Sequence, residues 1–172
     1  MFVAKDIAPR VLFLVQEVSM PTLDDVYRKF GETAEAAQLL ETELGTALMV
    51  VDALEENLLT AANPGRAAEL LDEINSSTLG RVLKRLTAKT QASGELERLL
   101  SKALVERNRL SHSFYRRHNF RRNSDEGRAL MLDDLQSIHE SIISAYKAVM
   151  LLSGVDLDSV SGSPTPTRHL PI

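Results

Sequence analysis

From Thr22 onward the chain repeats apolar residues every three or four positions. Leu23, Val26, Phe30, Thr33, Ala37, Leu40, Leu44, Ala47, Val51, Leu54 and Leu58 form a heptad seam of 36 residues, about 54 Å at 1.5 Å per residue. Thr22 is a suitable N-cap, and Asp24 and Asp25 fall in the first turn, where acids suit the helix dipole. The pattern predicts a helix near 22–60. A helix of that length needs long partners, as a coiled-coil dimer, on a membrane surface or in a bundle. Ala34, Leu48, Val50 and Leu59 flank the seam and widen it, which favours the bundle.

Asn63 followed by Pro64 marks the next helix start. Ala67, Leu70, Leu71 and Ile74 give its apolar side, and Leu79, Val82, Leu83 and Leu86 resume after Ser76-Ser77-Thr78. This predicts one kinked helix or two short ones over 64–90, broken near 76–78, with Ser76 or Ser77 recapping the second part. Ser93 would cap a third helix over 93–118, on which Leu96, Leu100, Ala103, Leu110 and Phe114 share a stripe. Residues 118–123 read as its frayed end or a loop. Ser124, with Asp125 and Glu126 behind it, opens a last helix over 124–153, lined by Met131, Leu135, Ile138, Ile142, Ala145, Val149 and Leu152 and closed by Gly154. Four main helices with short polar connections, the second one broken, predict an all-α up-and-down bundle over residues 20–154.

The flanks read differently. Residues 1–19 hold an apolar run of five, Val11 to Val15, too short for a signal core or a membrane span and without a small-residue cleavage site. The chain therefore reads as cytoplasmic, with no membrane partner. Met20, just ahead of the first strong helix, is an alternative start; otherwise residues 1–19 are a short element packed on the bundle. Residues 155–172 are rich in Ser, Thr, Pro and Gly and predict a disordered tail, in which His169 is inert.

With 172 residues, 44% of them hydrophobic, the chain is long enough for one proper core, and few aromatics, Gly or Pro favour helices over sheets. No cysteine is present, which excludes a disulfide scaffold and a thiolate metal site. The net charge of −4 argues against a general nucleic-acid coat. Its distribution is uneven: residues 22–76 hold twelve acids and three bases, and residues 106–128 hold seven bases and three acids. Either the second segment is a basic patch on an acidic body, or the two halves neutralise each other across an interface.

That basic segment, ERNRLSHSFYRRHNFRRNSDEGR, carries the candidate chemistry. Arg107 falls in the centre of the stripe, where a Leu is expected, and an ionised guanidinium there demands a partner. Asn108, His112 and Tyr115 follow one another at spacings of four and three on a neighbouring face, about 80–140° round the helix. Arg107 and His112 are thus not stacked above each other; they converge only if the helix borders a second subunit or bends. His112 and His118 lack carboxylates at ligand spacing, and no phosphate loop or metal motif occurs, so no metal or cofactor is expected.

Arg107-Asn108, three further residues and His112, near the end of a long amphipathic helix, resemble the Arg-x4–6-His motif of the HEPN superfamily. The resemblance extends loosely from Thr22 to Gly154, and its specific content is three residues. It implies a helical bundle, a homodimer with two motifs facing one cleft, and a metal-independent endoribonuclease of toxin or defence type, partnered by an antitoxin or other regulatory protein. Cleavage would proceed by attack of the 2′-hydroxyl on the adjacent phosphate. His112 would be the proton acceptor, Arg107 the fixed cation at the phosphate oxygens, and Asn108 would orient the histidine or a phosphate oxygen. Arg109, Arg116, Arg117, Arg121 and Arg122 would hold the RNA backbone, and Tyr115 would stack on a base. Some members carry a Tyr two residues after the His that a partner adenylylates; Phe114 stands there, so the resemblance does not extend to that regulation.

Two other readings stay open. One is a non-catalytic HEPN-like helical dimer acting as a protein- or RNA-binding regulatory module, with Arg107 paired to an acid. The other is a structural adaptor built on the long first helix.

Overall fold

The structure is a computed structural model that describes residues 20–90 and 94–159. The expectations for residues 1–19, for Ser93 as a cap and for residues 160–172 lie outside them. Every regular element among the described residues is helical: α1 (Leu23–Glu55), α2 (Pro64–Asn75), α3 (Leu79–Thr90), α4 (Gly94–His118) and α5 (Asp125–Leu152), with a 3-10 turn, Asn119–Asn123, between α4 and α5.

The end signals act largely as their chemistry requires. Thr22 and Asp25 form a reciprocal capping box at α1, and Asn63 and Ser124 cap α2 and α5 through their side chains. Gly154, at φ 82°, closes α5: Val155 N–H donates to the Met150 carbonyl and Gly154 N–H to that of Leu151, the paired bonds of a Schellman ending.

α1 departs from expectation at its far end. Asn57 adopts φ 57°, and its own and Leu58's N–H groups bond back to the Leu54 and Ala53 carbonyls. The helix therefore stops at Glu55 rather than near 60, ended by an Asn in the left-handed region. The heptad seam also drifts. Val26, Thr33, Ala37, Leu40 and Leu44 are buried as expected, but the stripe then steps by four to Leu48 and Asp52, and Leu54 is 55% exposed. A straight helix of 3.6 residues per turn slides off a 3.5-residue seam by about 20° per heptad. Val50 and Leu59, expected to widen the seam, face solvent.

The second helix is neither continuous nor kinked. α2 starts where Arg66 bonds Glu56 and descends until Ile74 lies against Gly45. α3 then returns, so that Arg85 and Lys89 both reach the buried Asp52. Ser76 and Ser77 do not recap α3; both hydroxyls donate to the Glu73 carbonyl and finish α2, and the first turn of α3 hangs on the Thr78 carbonyl. α4 runs antiparallel to α1, with Arg107 at Glu41 and Phe114 and Tyr115 at Phe30. α5 begins beside the start of α1, where Arg128 donates to the Pro21 carbonyl, and runs parallel to it. The direction alternates through five helices, with α1 touching all four others. The core is Leu40, Leu44, Leu48, Leu100, Ala103, Phe114, Leu135, Ile138 and Ile142, with their neighbours along the same stripes. No described helix is long and apolar enough to cross a membrane.

The expected frayed end after α4 is an ordered turn. A Cβ on the buried Gly127 would stand 1.9 Å from the Arg121 carbonyl oxygen, so the turn lies directly on the first turn of α5. Gly127→Ala must push the two apart, with an expected loss of about 1–3 kcal/mol. At this chain length that lowers Tm by roughly 2–4 °C per kcal/mol in a calorimetric melt. An unchanged Tm would mean that the turn is free to move.

Candidate functional site

The carboxyl-terminal half of α4 presents two different environments within a few turns. Leu110, Phe114 and His118 face the core at spacings of four, while Asn108, Ser111, His112, Tyr115, Arg116 and Arg117 lie on the exposed side. The α4 stripe therefore does not stop at Phe114; it continues to a histidine.

Arg107 is not at the centre of the core. Its side chain is 26% exposed at the edge of the stripe, where Nε donates to Glu41 of α1 and Nη1 donates to Asn108 Oδ1 at 3.2 Å. Two of its five N–H donors are engaged, and the outer edge of the guanidinium is left for an anion. Asn108 thus orients the arginine. His112 is exposed and bonds to neither residue; among the described residues it has no hydrogen-bond partner. Within one chain, the motif residues Arg107 and Asn108 come together and His112 stands apart.

Arg109, assigned to the RNA backbone from sequence, is committed elsewhere. Nη1 bonds both oxygens of Asp134 at 2.8 and 2.6 Å, Nε reaches Glu106 at 2.8 Å, and only 15% of the side chain is exposed. Asp134 also receives His118, whose Nε2 lies 2.8 Å from Oδ2. On the other side of that ring, Arg121 Nη1 lies 3.3 Å from Nδ1. A guanidinium can only donate, so Nδ1 must be the acceptor and Nε2–H donates to Asp134. Burial raises the carboxyl of Asp134, but the bonds from Arg109 and His118 outweigh it and hold its pKa below the ordinary carboxylate range. Burial likewise opposes charge on Arg109, and the bonds from Asp134 and Glu106 more than restore it.

His118 and Asp134 were not legible as a pair from local spacing, because sixteen positions separate them on different helices. The available signal for His118 was its place four residues after Phe114. It packs on that ring at 4.5 Å and is 4% exposed.

Tyr115 is 40% exposed and leans on Phe30 at 5.1 Å and on Phe114 at 5.2 Å. Burial, with Tyr27 close by, raises its hydroxyl pKa. Beyond it, Arg116, Arg117, Arg121 and Arg122 cluster in sequence at one end of the bundle. All four are exposed, and Arg116, Arg117 and Arg122 have no side-chain ion pair among the described residues.

The ion pairs of the acidic half are mostly internal to it or made with α3: Asp25 with Arg28 and Glu32 with Lys29 near the start of α1, Glu56, Glu69 and Glu73 with Arg66, and Asp52 with Arg85 and Lys89. Arg107–Glu41 is the bridge between the two segments among the described residues. A groove of about 420 Å³ opens nearer the other end, between α1, α2 and α3, lined by Met49, Leu71, Ile74 and Leu79 with Glu41 at its rim. No family model, curated protein or solved structure matches this chain.

Asp134 generates a pH prediction. Its folded pKa lies below the unfolded value of about 3.9. Its contribution to stability is therefore present above about pH 4 and lost as pH falls through the folded value. Thermal melts from pH 3 to 7 should show this acid loss in the parent and a smaller loss in Asp134→Asn, which should also melt lower at pH 7. Parallel curves would show that Asp134 does not carry the linkage.

Proposed function

We propose that the chain is a HEPN-like RNA-acting protein, a metal-independent endoribonuclease that works as a homodimer. The observation that carries this reading is the contrast along one helix. Among the described residues, Arg107 is a half-buried cation steered by Glu41 and Asn108 with its outer edge unengaged, and His112 is an exposed imidazole without an internal partner. A general base for a 2′-hydroxyl needs access and a ring nitrogen able to take a proton, which the exposed His112 offers. A cation that stabilises phosphate charge needs a fixed orientation, which Arg107 has. Arg116, Arg117 and Arg122, without an ion pair among the described residues, supply the sequence-independent attraction for the RNA backbone. Asn108, Ser111, His112 and Tyr115 form the exposed flank on which a second copy would dock, bringing its own His112 to this Arg107. An antitoxin or regulatory protein would be a further partner of the same surface.

One observation favours a second reading. Arg107 already has a counter-ion within its own chain, so its charge is offset without RNA. On that reading the protein is a non-catalytic helical dimer whose basic end docks RNA or protein.

Purified protein should cleave RNA in EDTA, leave a 2′,3′-cyclic phosphate and scatter light as twice its 19.0 kDa chain mass. His112→Ala should reduce cleavage on the order of 10²–10⁴-fold and leave Tm unchanged. Arg107→Ala should remove cleavage at a stability cost of about 1 kcal/mol, as befits a partly exposed pair. Glu41→Gln separates the readings: it should tighten RNA binding if Arg107 serves a phosphate, and only lower Tm if the pair is structural. Cleavage that survives His112→Ala, or a monomer at tens of micromolar, would remove the nuclease reading.

A further inference from the structure

The 3-10 turn after α4 carries a residue that the proposed chemistry does not use. Phe120 is 77% exposed, the most open large apolar side chain of the described residues. A floppy loop would fold such a ring onto the nearest apolar surface. This turn cannot do so readily, because its backbone is held on several sides. The Arg121 carbonyl lies against Gly127, Arg128 donates to the Arg122 carbonyl at 3.1 Å and also to that of Pro21, and Asn119 is fixed at φ 28°. His118, buried on Asp134, holds the entry to the turn and meets the Arg121 side chain.

The residues around the ring decide what it would meet. Arg116 and Arg117 precede it in the last turn of α4, and Arg121 and Arg122 follow it directly. Asp125, the first acid after the turn, is neutralised by Arg128. An exposed aromatic ring on an anchored turn, flanked in sequence by exposed arginines of which Arg116, Arg117 and Arg122 have no ion pair among the described residues, suits a ligand that is both anionic and planar. Single-stranded nucleic acid has both properties, since the phosphates answer the arginines and an unpaired base offers a ring to stack. A base inside a duplex presents no free face.

We propose that Phe120 is a stacking platform for an unpaired RNA base, with Arg122 and the Arg116–Arg117 pair holding the flanking phosphates. Pre-ordering of the turn removes the entropy that binding would otherwise lose. The proposal rests on the RNA reading above and adds to it a strand preference, for single-stranded over duplex RNA, and a residue that sets it.

The test is fluorescence anisotropy of the full chain with a labelled single-stranded RNA and with a duplex of the same length. Phe120→Ala should weaken single-strand binding roughly 5- to 150-fold, the range for loss of one base–aromatic stack, and leave duplex binding and Tm as they were. Phe120→Trp should keep or tighten single-strand binding, whereas Phe120→Leu should behave like Ala. Equal losses on both RNAs would overturn the proposal, because stacking would not be the cause. If Phe120→Ala binds as the parent does while Arg116→Ala with Arg117→Ala weakens binding, this proposal fails and the RNA reading stands. Should the parent bind neither RNA, both fail together. A Phe120→Ala variant whose mass by light scattering drops from dimer to monomer would assign the ring to a protein contact instead.

Discussion

A 33-residue helix has to bury an apolar stripe about 50 Å long, and no other described helix is long enough to cover it. The rest of the architecture follows from that shortfall. α5, with 28 residues, lies along α1 from its first turn, and α4, with 25, covers the half nearest Phe30 and Glu41. The far half of α1 receives the α2–α3 hairpin, whose two helices of 12 residues each are too short to do anything else. The change of partner coincides with the drift of the α1 stripe from Leu44 to Leu48 and Asp52. Where α3 arrives, the stripe includes a carboxylate, and Arg85 and Lys89 are there to meet it. Removing Asp52 would leave Arg85 without its counter-ion at a partly buried seam and Lys89 with Glu55 alone, a larger cost than losing an exposed pair.

This packing also sorts the charges. At the hairpin end Asp52, Glu55, Glu56, Glu69 and Glu73 face Arg66, Arg85 and Lys89, and near the start of α1 Asp25 and Glu32 pair within their own helix with Arg28 and Lys29. The opposite end, made of the last turn of α4, the 3-10 turn and the start of α5, keeps its arginines open to solvent. The basic segment is thereby divided: Arg109, through Asp134 and Glu106, and Arg128, through Pro21 and Asp125, become part of the scaffold, and Arg116, Arg117, Arg121 and Arg122 stay at the surface. A basic sequence segment is therefore not the same thing as a basic surface. The helical phase decides which of its cations belong to which, since residues four apart share a face and neighbours in sequence do not.

Most of the helical content was legible because it rests on periodicity and end chemistry, both of which are local. The cap at Asn63-Pro64, the break at 76–78 and the closing Gly154 all sit where the residues require them. The stop after Glu55 was less visible, since Asn57 lies inside a run that keeps apolar spacing through Leu58; only its tolerance of positive φ marks the end. The reversal between α2 and α3 was not legible at all. Serines near a helix break can cap either side, and which carbonyl they meet depends on tertiary packing. At the candidate site the demand that Arg107 find a partner was sound, but the identity of Glu41, sixty-six positions away, was not available locally. The same holds for His118 and Asp134. Pairings across helices are set by the register of the bundle, and one sequence does not reveal it.

That register bears on how the motif would work. Arg107 and His112 are five residues apart, about 140° round a helix of 3.6 residues per turn. Arg107 leans toward α1, and His112 therefore faces away from α1 into solvent. A phosphate held at the outer edge of the guanidinium would lie on one side of a cylinder about 10–12 Å across, with the imidazole of the same chain round the other. The stretch of α4 between them is continuous α-helix, so no break in it brings them together. On the ribonuclease reading, the remaining way to unite a base and a cation is for two copies to face each other across their α4 flanks, the base of one beside the cation of the other. Glu41 then has a role beyond neutralisation. By holding Nε it fixes the plane of the guanidinium and leaves the Nη edge to the phosphate, so the bond that makes Arg107 look structural would also be what aims it.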